Sequence, residues 1–183
     1  MPFPRRAQLE YDALREYALR ALARRSLSVA ELSQRLRGKA AEAGDVQRVI
    51  DLLKSYGHLD DRKLAEHYAD ARAEERSVGS QRVARDLLQK RIQPALVERA
   101  VGAAFAGSDE TALIEEFLRH KTRGKNLVEW LKEPKNVSSL YRRLRVAGFS
   151  GSASIGALKR YARGDMELDA LESAESEPGE SAD

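Results

Sequence analysis

The sequence predicts an all-α protein, and three observations carry that reading. Only 16 of the 183 residues are Val, Ile or Thr, and nowhere do they alternate with polar residues over the length of a strand. Apolar residues recur instead at spacings of three and four, in Leu14, Tyr17, Ala18 and Leu22, then Val46, Val49, Ile50 and Leu53, then Leu64, Ala65, Tyr68 and Ala69, so each stretch has one face to bury. Helix punctuation separates the stretches: Ser26 and Ser28 before VAEL, Gly44-Asp45 before VQRV, Gly57 after KSY, Asp60-Asp61 before RKLAEHY, and Gly79 before SQRV. Helices of roughly 10 to 16 residues follow.

Helices this short cannot each bury a face alone, so a recurring unit is expected. Placing Leu32 and Leu36 beside Val83 and Leu87, then beside Leu140 and Leu144, aligns LSQRLRGKA, VARDLLQKR and LYRRLRVAG. In each copy an apolar residue follows the second anchor by 14 positions: Ile50, Val101 and Leu158. A preceding helix completes each unit, with Leu14 to Leu22 in the first, Leu64 to Ala73 in the second, and Ile114, Phe117 and Leu118 in the third. The sequence therefore predicts three tandem three-helix repeats, at residues 1–58, 59–106 and 107–164. Set in a row, such repeats predict an elongated molecule, with a radius of gyration above the roughly 16 Å of a compact chain this long. The third repeat carries an insertion around residues 123–136, and its Trp130 is read as a core anchor rather than a platform for base stacking.

Residues 165–183 (DMELDALESAESEPGESAD) hold eight acids and no base, so the formal net charge of +3 conceals +11 on residues 1–164. Acids interleaved with Ser, Ala, Gly and Pro predict a disordered tail. A body this basic predicts a polyanionic partner such as nucleic acid, or an acidic protein surface. Arginine outnumbers lysine 23 to 9, and its planar fork suits phosphates and carboxylates.

Several chemistries are excluded or left without a motif. With no cysteine there is no disulfide, no thiolate nucleophile and no cysteine-ligated metal. His58, His67 and His120 are scattered, none paired at helical metal-site spacing. Gly102 to Ser108 (GAAFAGS) lacks the lysine and the preceding strand of a phosphate loop. No nucleophile elbow or base–orienter set is present. No apolar run reaches the roughly 18 residues a membrane helix needs, and MPFPRRAQLEYD has no secretory apolar stretch. The expectation is a cytoplasmic, monomeric binding protein, not an enzyme, with no cofactor and no metal.

Within the middle helix of each repeat the apolar anchors fix the inward direction, and a step of about 100° per residue sends Arg82, Arg85 and Arg142 outward, with Arg143 beside them. The first repeat presents Glu31 and Gln34 there instead. Contacts with a partner are therefore expected on Arg82, Arg85, Arg142 and Arg143, with Arg145, Lys90, Arg35 and Arg37 of the same helices as further candidates.

The segment GHLDDRKLAEHYADAR, followed by VGSQRVARDLLQKRIQPALVERAV, resembles the RecX family of bacterial regulators of the RecA recombinase. Leu59, Asp60, Asp61, Ala65, Arg72, Gly79, Leu87 and the stretch from Ile92 to Val101 match that family's LxDDxxfAxxxvxxR…G…eL…I…A pattern. RSLSVAELSQRL and RRLRVAGFSGSASIGALKRYA resemble its other repeats, so the resemblance covers about residues 10–163. Lys63-Leu64 stand where the family usually has an aromatic residue, and the acidic tail and the Trp130 insertion are not family hallmarks. The resemblance implies structural roles for Asp60, Asp61, Arg72, Gly79 and Leu87. It also implies a protein that binds RecA, lies in the groove of its DNA filament, and restrains filament extension, ATP hydrolysis and strand exchange in recombinational repair. Some relatives bind DNA directly.

Two other readings compete. LSVAELSQRL resembles the opening of a helix-turn-helix DNA reader, with Ser28 as its N-cap. A sequence reader needs one recognition helix rich in polar base-reading side chains, whereas here one Arg- and Leu-bearing helix recurs three times. A purely structural adaptor built of helical repeats is the other.

Overall fold

A computed structural model describes residues 8–124 and 126–162; the acidic tail at 165–183 lies outside them. Ten helices make up the described residues: α1 (Tyr11–Arg24), α2 (Val29–Arg37), α3 (Ala43–Ser55), α4 (Asp61–Glu74), α5 (Ser80–Gln89), α6 (Pro94–Phe105), α7 (Glu110–Lys121), α8 (Leu127–Trp130), α9 (Pro134–Ala147) and α10 (Gly151–Lys159). The protein is all-α, as its periodicity predicts, and the one β feature among the described residues is an isolated bridge between Leu9 and Ala40. The described residues divide into two compact units, one from residues 8–68 and 86–101 and the other from 69–85 and 102–162, so the division runs through α4 and α5.

In the first unit, Leu14 and Ala18 of α1 meet Leu32 and Leu36 of α2 and Val49, Ile50 and Leu53 of α3 in one core. Truncating a leucine buried this fully costs about 2–5 kcal/mol. The entry into α2 follows from sequence. Ser28 Oγ accepts from the Glu31 N–H, and the Ser28 N–H donates to the Glu31 carboxylate, a reciprocal capping box. The buried Ser28 hydroxyl also donates to the Lys90 carbonyl at 2.5 Å. Asp60 Oδ1 accepts from the N–H groups of Arg62 and Lys63 and so starts α4. Asp61 Oδ1 accepts from the Val29 N–H at 2.8 Å, satisfying a first-turn donor of α2 that no helical carbonyl can reach.

The second unit is built on α7, α9 and α10, whose Ile114, Leu118, Leu140, Leu144 and Leu158 are fully buried around Phe149. Phe149 meets Phe117 edge-on, with centroids 5.6 Å apart. Glu110 receives both the Ser150 N–H and the Ser150 hydroxyl at 2.7 Å, holding the start of α10 to the start of α7. Trp130 lies half-buried against this core, and the Asn136 side chain donates to its carbonyl. All six anchors of the sequence repeat (Leu32, Leu36, Val83, Leu87, Leu140, Leu144) are inaccessible to solvent, and Ile50, Val101 and Leu158 are buried.

Candidate functional site

A concavity lined by cations belongs to the second unit, and two glycines meet beside it. The Gly79 N–H donates to the Ala147 carbonyl at 2.9 Å, and the Gln81 N–H to the Gly148 carbonyl at 3.1 Å. Gly148 ends α9 in the left-handed region, at φ 92°. A Cβ on Gly79 would lie 2.2 Å from the Gly148 oxygen, and one on Gly148 would lie 2.2 Å from the Arg82 nitrogen. Backbone therefore meets backbone where α5 starts and α9 ends, an approach open only to glycine. Arg145 closes the junction, its Nη1 donating to the Phe149 carbonyl at 2.6 Å and to Gln81 Oε1 at 3.2 Å.

That crossing shapes a groove of about 840 Å³ lined by six cations: Arg72 and Arg76 at the end of α4, Arg82 on α5, Lys121 on α7, and Arg142 and Arg143 on α9. Its acids are Glu75 and Glu116, and Phe117, Val78, Val146 and Ala147 supply apolar surface. Arg72 pairs with Glu75 at 2.6 Å and Arg76 with Glu116 at 2.8 Å. The guanidinium of Arg76 hydrogen-bonds Glu116 and holds its carboxyl below the usual glutamate range. Arg76 itself stands at φ 50°, a left-handed conformation that costs a non-glycine residue about 1–2 kcal/mol. The described lining therefore carries six cations against two carboxylates.

The structure thus brings Arg82, Arg142 and Arg143 together and adds Arg72, whose motif position had implied a structural role. Arg85 is exposed on α5 outside the groove lining. Arg145 is occupied at the glycine junction. Sequence reasoning missed Arg76, which follows the last turn of α4, and Lys121, whose helix it had used only to complete a core. The signal for both was weak, because neither lies on an anchored middle helix.

The first unit carries a different basic surface. Arg35 shares a concavity of about 480 Å³ with Tyr17, Arg20, Arg24 and Arg25, and Arg37 is exposed at the end of α2. The run ALRALARR signals the three α1-side arginines, with Arg24 and Arg25 four and five residues after Arg20. Lys90 is half-buried, its ammonium 4.0 Å from the Glu31 carboxylate and 5.9 Å from the centre of the Tyr68 ring. Burial raises the Glu31 pKa, but hydrogen bonds from Ser28 and Arg25 and the charges of Lys90 and Arg25 outweigh it, leaving the net value lowered. Asp61 goes the other way: burial outweighs its hydrogen bond from Val29 and raises its pKa. Leu87 is fully buried. Among the described residues no group of three His, Cys, Asp or Glu is placed to hold a metal ion, and no helix is long and apolar enough to cross a membrane.

Residues 15–53 match the family model described as the first three-helix domain of RecX, and residues 60–101 match the second. The chain belongs to the RecX family. A "Regulatory protein RecX" of Halorhodospira halophila (strain DSM 244 / SL1) is 33% identical over 90 residues, 49% of this chain and 55% of that protein, so the match spans about half the length of that relative. The crystal structure of RecX from Lactobacillus salivarius is similar in fold, with a TM-score of 0.61 at 16% identity over 82% of this chain and 96% of that one. Within this RecX-family chain, Lys121, Arg142 and Arg143 lie beyond the two matched domains, on helices that build most of the groove.

Proposed function

We propose that this chain is a non-enzymatic, monomeric cytoplasmic regulator that binds RecA, lies in the groove of the RecA–DNA filament, and restrains filament extension, ATP hydrolysis and strand exchange. The three-helix repeats bounded at 58/59 and 106/107 are its proposed domains. The observation that carries the reading is the convergence of Arg82, Arg142 and Arg143 with Arg72, Arg76 and Lys121 on one groove whose described lining has six cations and two carboxylates. Arginine forks present paired donors that suit phosphate and carboxylate oxygens alike, so the same groove can serve an acidic protein surface or a DNA backbone. Membership of the RecX family and the name of the relative from Halorhodospira halophila support a regulatory role.

The test is single-stranded-DNA-dependent ATP hydrolysis by the cognate RecA, followed as this protein is added to naked DNA or to preformed filaments. Hydrolysis should fall in both arms, and Arg142→Glu with Arg143→Glu should abolish most of that fall while circular dichroism stays that of the parent. Undiminished inhibition by the double variant removes the groove from the reading. Tight DNA binding with no effect on RecA would favour the helix-turn-helix alternative.

A further inference from the structure

We propose that the first unit holds a socket for one unpaired base of a single-stranded nucleic acid, stacked on Tyr56. The site is separate from the groove of the second unit and needs neither that groove nor RecA.

The socket begins where α3 ends. Tyr56 is the C-cap of that helix, and Gly57 follows it in the left-handed region at φ 70°. The Gly57 N–H donates to the Lys54 carbonyl at 3.0 Å and the His58 N–H to the Leu53 carbonyl at 2.9 Å, the paired bonds of a Schellman cap. The turn is thus fixed by its own backbone, and Leu59 beyond it is buried. Two rings are held close by it, with the Tyr56 and His58 centroids 6.3 Å apart. The core makes little use of Tyr56, which at 68% is the most exposed large apolar side chain among the described residues. A ring held in place and left open is available to a ligand.

Beside it lies a hollow of about 390 Å³, with Leu19 and Leu52 as aliphatic walls and Tyr11, Arg15 and His58 completing the lining around Tyr56. Ligand pockets run from about 300 to 1,000 Å³, so there is room for a small ring system. Two observations select a nucleic-acid base. The first is charge: residues 1–164 carry +11, no described residue lining the hollow is an acid, and Arg15 lines it. Arg15 pairs with Asp12 at 3.7 Å on exposed surface, a weak contact that a phosphate can replace. The chain therefore draws a polyanion. The second is the lining itself, aromatic and aliphatic, because the flat apolar faces of a nucleic acid are those of its bases, open to a side chain only where they are unpaired. An aliphatic peptide would match the walls but not the charge.

Fluorescence anisotropy on the full-length chain tests this with three probes of equal length: oligo-dT, oligo-rU and an abasic oligodeoxynucleotide with the same phosphates. Tyr56→Ala should weaken oligo-dT and oligo-rU alike by about tenfold, the loss of one stacked base, with the salt slope unchanged because no phosphate contact is removed. Tyr56→Phe should keep most of the affinity. The abasic probe should bind the parent and Tyr56→Ala equally, and urea denaturation should give the two chains the same stability. An oligonucleotide carrying 5-iodouracil should crosslink on irradiation to the tryptic peptide of residues 55–62 (SYGHLDDR). Undiminished oligo-dT binding by Tyr56→Ala, an equal loss for the abasic probe, a loss confined to one sugar, or crosslinks only elsewhere overturns the proposal. Relief of RecA inhibition by Tyr56→Ala with oligonucleotide binding unchanged assigns the hollow to a protein partner and overturns it equally. Because the probe measurements use no RecA, a chain that stacks the base but leaves RecA untouched sinks the proposed function alone.

Discussion

The two basic surfaces of this RecX-family chain are assembled on different principles. In the first unit Arg20, Arg24, Arg25 and Arg35 come from two helices and the four-residue connection between them, and Arg25 is held by Glu31 at 3.0 Å. In the second, four helices or their ends contribute six cations to a groove with an apolar floor. The first surface is a consequence of spacing along α1 and α2. The second depends on the meeting of α5 and α9, backbone to backbone, at Gly79 and Gly148, two residues 69 positions apart in sequence. Concentrating positive charge in a concavity strengthens its pull on an anion, and in the smaller hollow of the first unit that pull is reduced by the pairing of Arg20 with Glu16 and of Arg25 with Glu31.

The strongest way to break this comparison is at the glycine junction. Gly148→Ala forces a Cβ into the Arg82 backbone and onto a residue at positive φ, so we expect a loss of about 3 kcal/mol, read from urea denaturation. Gly44→Ala, in α3 of the first unit with no atom near the added methyl, should instead be neutral or stabilising by up to about 1 kcal/mol. Equal tolerance at both positions would mean that the groove does not depend on this contact.

Charge reversal should give the next largest effect. Arg142→Glu with Arg143→Glu should weaken binding of a single-stranded oligonucleotide at low salt by at least about tenfold, and each lost phosphate contact should lower the salt slope by roughly 0.7. Arg20→Glu with Arg24→Glu should cost less than about threefold, because Arg20 is exposed and already paired with Glu16 at 3.9 Å. Fluorescence anisotropy across a salt series measures both, and matching losses would erase the distinction between the surfaces.

The smallest effect is in acid stability, where the two units should respond with opposite sign. Glu116 has a lowered pKa, so its contribution is present above the ordinary carboxylate range and is lost as pH falls through its folded value. Asp61 has a raised pKa, so its ionisation costs stability as pH rises through that range. Between about pH 3 and pH 6, Glu116→Gln should fall progressively behind the parent in Tm, while Asp61→Asn should gain on it. Slopes of the same sign would contradict the opposite environments of the two carboxyls.

Much of the fold was legible in the sequence. The anchors Leu32, Leu36, Val83, Leu87, Leu140 and Leu144 were set by helical periodicity, and all are buried. The starts of α2 and α4 were readable at Ser28 and at Asp60-Asp61, because caps are formed within three or four residues of chain. The candidate site was legible in part. Arg82, Arg142 and Arg143 followed from the outward direction of two anchored helices, and the structure places all three in one groove. Arg72, Arg76 and Lys121 escaped, since nothing in their own segments says what lies opposite. Lys90 shows the converse, because its position on a charged helix end gave no sign that its ammonium would turn to Glu31 and the Tyr68 ring.

The sequence by itself determined the helices, the repeat of their anchors, the caps and the segregation of eight acids into the tail from a body of +11, all of which depend on neighbours a few residues away. Only the tertiary structure decided that Gly79 would touch Gly148, that six cations would share one groove, and that Val146 would stay exposed within it. The reason is range. Periodicity fixes which face of a helix turns inward, but where two distant helices cross is set by the packing of all their side chains together, and a backbone contact across tens of residues leaves only a glycine at each end to mark it.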